Sequence, residues 1–244
     1  MRNVIVTGGT RGIGLGIARR LCRSGYRVIV IARRESEAFR TAQEEFGSGG
    51  SNPLSFSPFD LSDIESIPGL VSGLRREHGA IYALVNNAGI SFDGSLAFMP
   101  ASQIQQLVLV NTVSPIILTR SVVRSMVADG EGRIINISSI TAFSGYKGLS
   151  VYSATKAAAV GFTKSLAREV GPAGVTVNAV APGFISTDLT DHMTMEQRQK
   201  VERRSALRRL TGVEDVAAAV YFLLSEDATN ITGTVLTVDA GSTA

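Results

Sequence analysis

Short runs of β-branched and aliphatic residues recur along the chain, each followed by a longer stretch whose apolar positions repeat with helical spacing. Strands are predicted at residues 4–7, 28–32, 54–57, 82–86, 133–138, 175–180 and 234–238. Helices are predicted at 13–22, 35–46, 62–77, 101–127, 152–170, 195–204 and 213–225. Gly25 should stop the first helix as a C-terminal glycine does, and Pro58 should blunt the third strand. Pro68 and Gly69 should disturb the middle of the third helix, and Pro115 should kink the fourth. The Gly/Ser-rich stretch 47–51 reads as a loop.

The strands are apolar on both faces, the pattern of a parallel sheet covered on both sides by helices. Right-handed crossovers then give an α/β chain: a doubly wound Rossmann fold, a seven-stranded parallel sheet flanked by helices, with the ligand site at the carboxyl ends of the strands. No linker or internal repeat breaks the alternation, so one domain over residues 1–244 is expected.

Composition narrows the function. At 44% hydrophobic residues the chain can build a core and is not expected to be disordered. The single cysteine, Cys22, excludes an internal disulfide; with only His78 and His192 besides, no Cys/His zinc cluster can form, and no metal is expected. The net charge is a modest +3. One stretch is densely basic, from Arg198 through Lys200, Arg203, Arg204, Arg208 and Arg209, but Glu196 and Glu202 interrupt it and aromatics are lacking. It reads as a solvated helix face, and no nucleic-acid partner is expected. No uninterrupted apolar run reaches the roughly 18 residues of a membrane helix. The apolar part of the N-terminus is too short for a signal peptide, so no membrane association and a cytoplasmic location are expected.

The first strand leads into Thr7-Gly8-Gly9-Thr10-Arg11-Gly12-Ile13-Gly14. Glycines at 8, 12 and 14 allow a sharp turn and close approach of backbone to a pyrophosphate at a helix N-terminus. Tight turns also need glycine, so it is the position between strand and helix that makes this a dinucleotide signal. At the end of the second strand, where NAD enzymes usually hold an acid, the chain reads Ile31-Ala32-Arg33-Arg34. Arg11 adds a third guanidinium inside the loop. Guanidinium pairs well with a phosphate dianion, so these residues favour NADP(H) over NAD; the alternative is ordinary surface charge. Tyr152 and Lys156 stand four apart on a helix and share a face. A cation there should lower the phenol's pKa and make it a proton carrier for a carbonyl or alcohol oxygen, with Ser139 able to hydrogen-bond the same oxygen. Alone, such a pair is equally an exposed helix pair.

Taken together, Thr7–Gly14, Asp60-Leu61, Asn86-Asn87-Ala88-Gly89, Asn111, Ser138-Ser139, Tyr152 through Lys156 and Pro182-Gly183 resemble the short-chain dehydrogenase/reductase family from end to end. Within it, residues 162–169, 177–185 and 231–233 most resemble bacterial 3-oxoacyl-[acyl-carrier-protein] reductases, although several of these segments recur in relatives that reduce sugars, cyclic ketones and steroids. The resemblance implies roles. Gly8, Thr10, Arg11, Gly12, Ile13, Gly14 and Arg33 would hold the cofactor phosphates; Asp60 and Leu61 would flank the adenine. Asn87, Ala88 and Gly89 would lie against the adenosine ribose, and Pro182, Gly183, Ile185 and Thr187 would line the nicotinamide side. Tyr152 would donate the proton, Lys156 would bind the nicotinamide ribose, Ser139 would orient the carbonyl, and Asn111 would hold a relay water by distorting its helix.

The expected activity is NADPH-dependent reduction of a ketone, foremost a 3-oxoacyl thioester, which could arrive on acyl carrier protein. The alternatives are the same chemistry on a free small ketone, sugar or cyclic alcohol, and a non-catalytic dinucleotide-binding regulator. Family likeness and the small-residue face Ala154, Ala157, Ala158 and Gly161 point to a homotetramer; close packing within one subunit would use that face equally well. His78, at a helix end, is not expected to be catalytic; His192 could touch substrate; Cys22 should be core.

Overall fold

The strongest apolar runs form the centre of a single sheet. A computed structural model describes residues 1–47, 53–185 and 195–244. Its strands are β1 (Asn3–Thr7), β2 (Arg27–Ala32), β3 (Leu54–Pro58), β4 (Ile81–Asn86), β5 (Gly132–Ile137), β6 (Val175–Pro182) and β7 (Val235–Val238). Every residue of β1, β4, β5 and β6 is buried, as strands covered on both faces must be. All pairs are parallel, in the order β3-β2-β1-β4-β5-β6-β7. The winding reverses between β1 and β4, which opens a crevice at their carboxyl ends.

The helices are α1 (Gly12–Arg23), α2 (Glu37–Phe46), α3 (Ile67–His78), α4 (Ala101–Val108), α5 (Ser114–Asp129), α6 (Ser150–Val170), α7 (Met195–Arg204) and α8 (Val213–Leu224). On one face, Ile17 and Leu21 of α1 meet Val216, Val220 and Leu224 of α8 in one core. These helices approach so closely that a Cβ on Gly16 would fall 2.2 Å from Val213 Cγ1. On the other face, Leu74 of α3, Val122 and Met126 of α5, and Leu166 of α6 form a second core. The first helix ends as expected: Gly25 has φ +85°, and the Tyr26 N–H reaches back to Leu21 O at 3.1 Å.

Two helical expectations need correction. The third helix begins at Ile67, not at residue 62, so Pro68 lies in its first turn, where a missing N–H costs nothing and the fixed φ helps. Residues 62–66 instead turn around Asp60, whose Oδ1 accepts the Ser62 N–H at 2.9 Å. The fourth helix is not simply kinked at Pro115. A π-helical turn, Leu109–Val113, separates α4 from α5, and Pro115 sits in the first turn of α5. The Ser114 N–H bonds five residues back to Leu109 O, and Ser114 Oγ lies 2.8 Å from the same carbonyl. This continuous helix of 29 residues, with an 18-residue window of mean hydropathy 1.4, is long and apolar enough to span a membrane by length and composition. Here Leu107, Leu118, Val122 and Met126 of it are fully buried in the protein core.

Candidate active site at the carboxyl ends of the strands

The crevice beside β1 is shaped by glycine. Gly8 and Gly12 have φ of +65° and +52°, open to glycine at little cost. A Cβ on Gly14 would lie 2.3 Å from Gly8 O and 2.5 Å from Asn87 Nδ2. No side chain caps the N-terminus of α1, and no acid lies in its first turn. Its N–H groups and dipole therefore present an anion site, and the cradle fits the pyrophosphate of a dinucleotide. Thr10 is buried, Gly12 and Ile13 are half-buried, and Arg11 is exposed at the rim.

Thr7 locks β1 to the β4 turn, a role its place in the glycine loop did not reveal. Its Oγ1 accepts the N–H groups of Asn87 and Ala88, both at 2.9 Å. Asn87 Nδ2 returns a bond to Thr7 O at 2.8 Å. Behind them, Asn86 Nδ2 donates to Asn136 Oδ1 and to Thr119 Oγ1, both at 2.9 Å, and Asn136 Nδ2 donates to Thr163 Oγ1 at 2.8 Å. This buried polar chain joins β4, β5, α5 and α6.

At the end of β2, Arg33 and Arg34 are exposed, with no acid between them and the strand. Asp60 is close enough to feel Arg33. Two hydrogen bonds from Ser62, then the Arg33 charge, hold its carboxyl below the usual range. Leu61 lies beside it, its carbonyl 2.6 Å from Ser114 Oγ.

The central cluster comes from β5, α6 and the π turn. Lys156 is buried, and its Nζ donates to Ile137 O at 2.9 Å. Ser138 Oγ donates to Lys156 O at 2.8 Å and ties α6 to β5. Lys156 Nζ lies 5.6 Å from the centre of the Tyr152 ring. Ser139, half-buried, is close enough to the Tyr152 phenol to act on it and accepts the Thr141 N–H at 3.2 Å. Asn111 lies buried in the π turn. Its Oδ1 accepts the Ile90 N–H, and its Nδ2 donates to Ile90 O, both at 2.9 Å, and to Thr155 Oγ1 at 3.2 Å. The turn is thus fixed to the loop after β4, next to Gly89, where a Cβ would come 3.3 Å from Asn111 Oδ1. A cavity of about 20 Å³, lined in part by Asn86, Asn111 and Lys156, has room for one water. Asn86 Oδ1, buried and without a hydrogen-bond partner, would welcome it.

The expected low pKa of Tyr152 is overturned. Burial pushes the phenol up to about 12, and Asp93 adds to the rise; only Ser139 opposes it. The nearby cation does not win, because its hydrogen bond goes to Ile137 and burial brings Lys156 itself down to about 8.

On the far side, β6 runs to Pro182, and the Gly183 N–H bonds to Val238 O at 2.9 Å. A Cβ on Gly183 would lie 2.7 Å from Asp239 Cβ. Ile185 is buried and bridges Thr211. Thr187, His192 and the side chain of Arg198 lie outside the described residues. A contact with no sequence signal joins the two loops over the site: Tyr146 meets Phe184 edge-on at 5.5 Å. His78 ends α3 beside Glu77, away from this cluster. The Cys22 thiol is buried and pushed up to about 12, an inert core residue.

Comparison with known proteins agrees with this geometry. Residues 2–198 match the family model described as short chain dehydrogenase. The 3-oxoacyl-[acyl-carrier-protein] reductase FabG of Haemophilus influenzae is 41% identical over 237 residues, covering 97% of this chain and 96% of its own. That of Aquifex aeolicus is 40% identical, covering 97% and 95%. Among solved structures, ElxO with NADP bound superposes at a TM-score of 0.90 with 31% identity, over 99% of this chain and 98% of its own. A candidate gluconate dehydrogenase from Agrobacterium tumefaciens gives 0.93 at 25% identity, over 99% and 95%. Likeness at these identities over nearly the whole of both chains goes beyond a shared architecture, and the chain belongs to the short-chain dehydrogenase family.

Proposed function

We propose that this protein reduces a 3-oxoacyl thioester to the 3-hydroxyacyl thioester with NADPH. The observation that carries the reading is the meeting of Ser139, Tyr152 and Lys156 at the carboxyl ends of the strands, beside a glycine-lined anion cradle. FabG relatives at about 40% identity support the substrate class, and ElxO with NADP bound supports the cofactor.

The cofactor phosphates would rest on Gly8, Thr10, Arg11, Gly12, Ile13 and Gly14, with Arg33 meeting the 2′-phosphate. Asp60 and Leu61 would flank the adenine, and Asn87, Ala88 and Gly89 the ribose. Pro182, Gly183, Ile185 and Thr187 would hold the nicotinamide end, and Lys156 its ribose. When bound, the reduced nicotinamide supplies a hydride to the carbonyl carbon. Ser139 hydrogen-bonds the carbonyl oxygen, and Tyr152 gives it a proton. A phenol held near 12 keeps its proton at neutral pH, as the reductive direction requires. Asn111 fixes the π turn, and the small cavity beside Lys156 would hold the water that resupplies the proton. The protein acts as one NADP-binding domain over residues 1–244, in the cytoplasm and as a homotetramer.

A second reading is reduction of a free small ketone or a sugar. The likeness to a candidate gluconate dehydrogenase favours it, as do the turns before β5 and β6. Carrier-dependent reductases typically hold basic residues there; here Asp129 and Glu131 occupy the first turn, and Gly171-Pro172-Ala173-Gly174 make up the second. Measuring NADPH consumption with an acetoacetyl thioester, a cyclic ketone and no substrate separates the readings. Turnover of the ketone alone moves the function to the second, and NADPH binding without turnover of either indicates a regulator.

A further inference from the structure

Residues 196–209 hold six basic and two acidic side chains, so this stretch more than accounts for the chain's net +3. Lys200, Arg203 and Arg204 on α7, and Arg208 and Arg209 just after it, are all exposed. Among the described residues none of the five makes an ion pair. By contrast, four arginines elsewhere do form ion pairs: Arg2 with Glu131 and Glu226, Arg19 and Arg23 with Glu45, and Arg75 with Asp129. A cationic face without ion pairs among the described residues is solvated, or it meets an anion from outside.

The turn that presents Arg208 and Arg209 is rigid. Ser205 is buried, and its Oγ lies 2.9 Å from Glu202 O and 3.0 Å from Arg209 O, while the Arg209 N–H donates to it at 3.2 Å. Arg208 is held at φ +51°, a left-handed conformation that a non-glycine residue adopts only when its surroundings impose it. Leu207, 61% exposed, stands among the arginines as an apolar centre with a charged rim.

The face lies at the mouth of the site. The Ala206 and Leu207 N–H groups bond to Gly241 O and Ala240 O, just past β7, at 3.2 and 3.0 Å. Thr211 bridges Ile185 at the end of β6. Arg204 is near enough to Tyr146, on the loop between Ser139 and Tyr152, for its charge to act on that phenol. At the opposite end of the sheet, Glu131 and Asp129 pair with Arg2 and Arg75 and leave no such cationic excess in that turn.

We infer that the basic face of Lys200, Arg203, Arg208 and Arg209 around Leu207 docks an acidic acyl carrier protein, which delivers the thioester to the adjacent cleft. The inference rests on the thioester reading above. It replaces the absent basic turns before β5 and β6 with a cationic face at the carboxyl ends of the strands, built by a different element. Opposite charge steers encounter and weakens with salt, so the contribution belongs in KM rather than kcat.

The test compares one acetoacetyl group on three donors: acidic acyl carrier protein, coenzyme A and uncharged N-acetylcysteamine. The double variant Arg203→Glu/Arg209→Glu changes only exposed side chains, and Arg76→Glu, on α3 at the other end of the sheet, is the control. The variant should lose about tenfold or more in kcat/KM on carrier protein at low salt, through KM. It should stay within about twofold on N-acetylcysteamine thioester, and the wild-type preference for carrier should fade at high salt. Anisotropy of labelled carrier protein should show the same loss of binding without any turnover. An unchanged KM on carrier protein overturns the docking face. Equal losses on carrier protein and coenzyme A also overturn it, since a small phosphate would then be the anion recognised. If wild type turns over no thioester, including N-acetylcysteamine, the thioester reading falls and docking falls with it.

Discussion

Lys156 lies 5.6 Å from the centre of the Tyr152 ring, yet gives its hydrogen bond to the Ile137 carbonyl at 2.9 Å. The two side chains share a helix face without being bonded to each other. Burial acts on both: it keeps the phenol protonated and makes the ammonium easier to deprotonate. Tyr152 therefore holds its proton at rest, and Ser139 is the neighbour that opposes the rise.

Removing the phenol hydroxyl removes the proton donor and little else. Tyr152→Phe should lower kcat by roughly 10²–10⁴-fold while NADPH affinity, measured by fluorescence titration, stays near wild type. A variant keeping more than about a tenth of wild-type kcat would sink the assignment of Tyr152 as the acid.

The same burial has a stability consequence at Lys156. Its pKa is lowered from 10.5 to about 8, so the unfolded chain holds this proton more tightly than the folded one. The penalty for burying the charge is fully present below pH 8 and gone above pH 10.5, and stability should rise with pH across that window. Lys156→Met should therefore be inactive but stabilised at pH 7, by up to about 3 kcal/mol less the lost bond to Ile137. Its advantage over wild type should vanish by about pH 10.5. Thermal melts at the two pH values decide this, and a variant less stable than wild type at pH 7 contradicts it.

What was legible in the sequence follows the range of the interactions. The strands and the order of the motifs were legible because doubly covered strands leave continuous apolar runs, and glycine loops leave glycine. The π turn was half legible. Pro115 and Asn111 both signalled a disturbance, but its form depends on Ser114 Oγ and on Ile90, 21 residues earlier. The start of α3 is not legible, because Asp60, rather than helical periodicity, organises residues 62–66. The Tyr152 pKa is not legible either, because spacing shows which residues face each other, and not how much water reaches them. The pairing of Asn86 with Asn136 depends on strand register, which no local pattern encodes.

Arg33 offers a test of cofactor choice. It is exposed beyond β2, and Asp60 is its near neighbour. Arg33→Ala should weaken NADPH binding by about 10- to 150-fold, the equivalent of one charge-assisted contact, and leave NADH binding nearly unchanged. Equal losses for both cofactors would show that Arg33 does not meet the 2′-phosphate.

Assembly makes the last prediction, and it turns on a face the monomer leaves uncovered. Ala154, Ala157, Ala158 and Gly161 are all exposed along α6, and a Cβ on Gly161 would meet nothing within 4 Å. Close packing within the subunit, the other use of such a face, is therefore not what these residues do. Exposed apolar side chains continue onto neighbouring elements, with Val108 and Ile116 flanking the π turn. At the sheet edge, β7 pairs only with β6. Small residues let two helices approach closely, and an unpaired edge beside an apolar helix invites a second copy. Sedimentation of the wild type should give a tetramer at micromolar concentration. Gly161→Trp adds bulk where the monomer has open space, so the fold and its circular dichroism should be retained while the assembly drops to dimers or monomers. A stable wild-type monomer would remove the proposal. A Gly161→Trp protein that stays tetrameric would place the interface away from this face of α6.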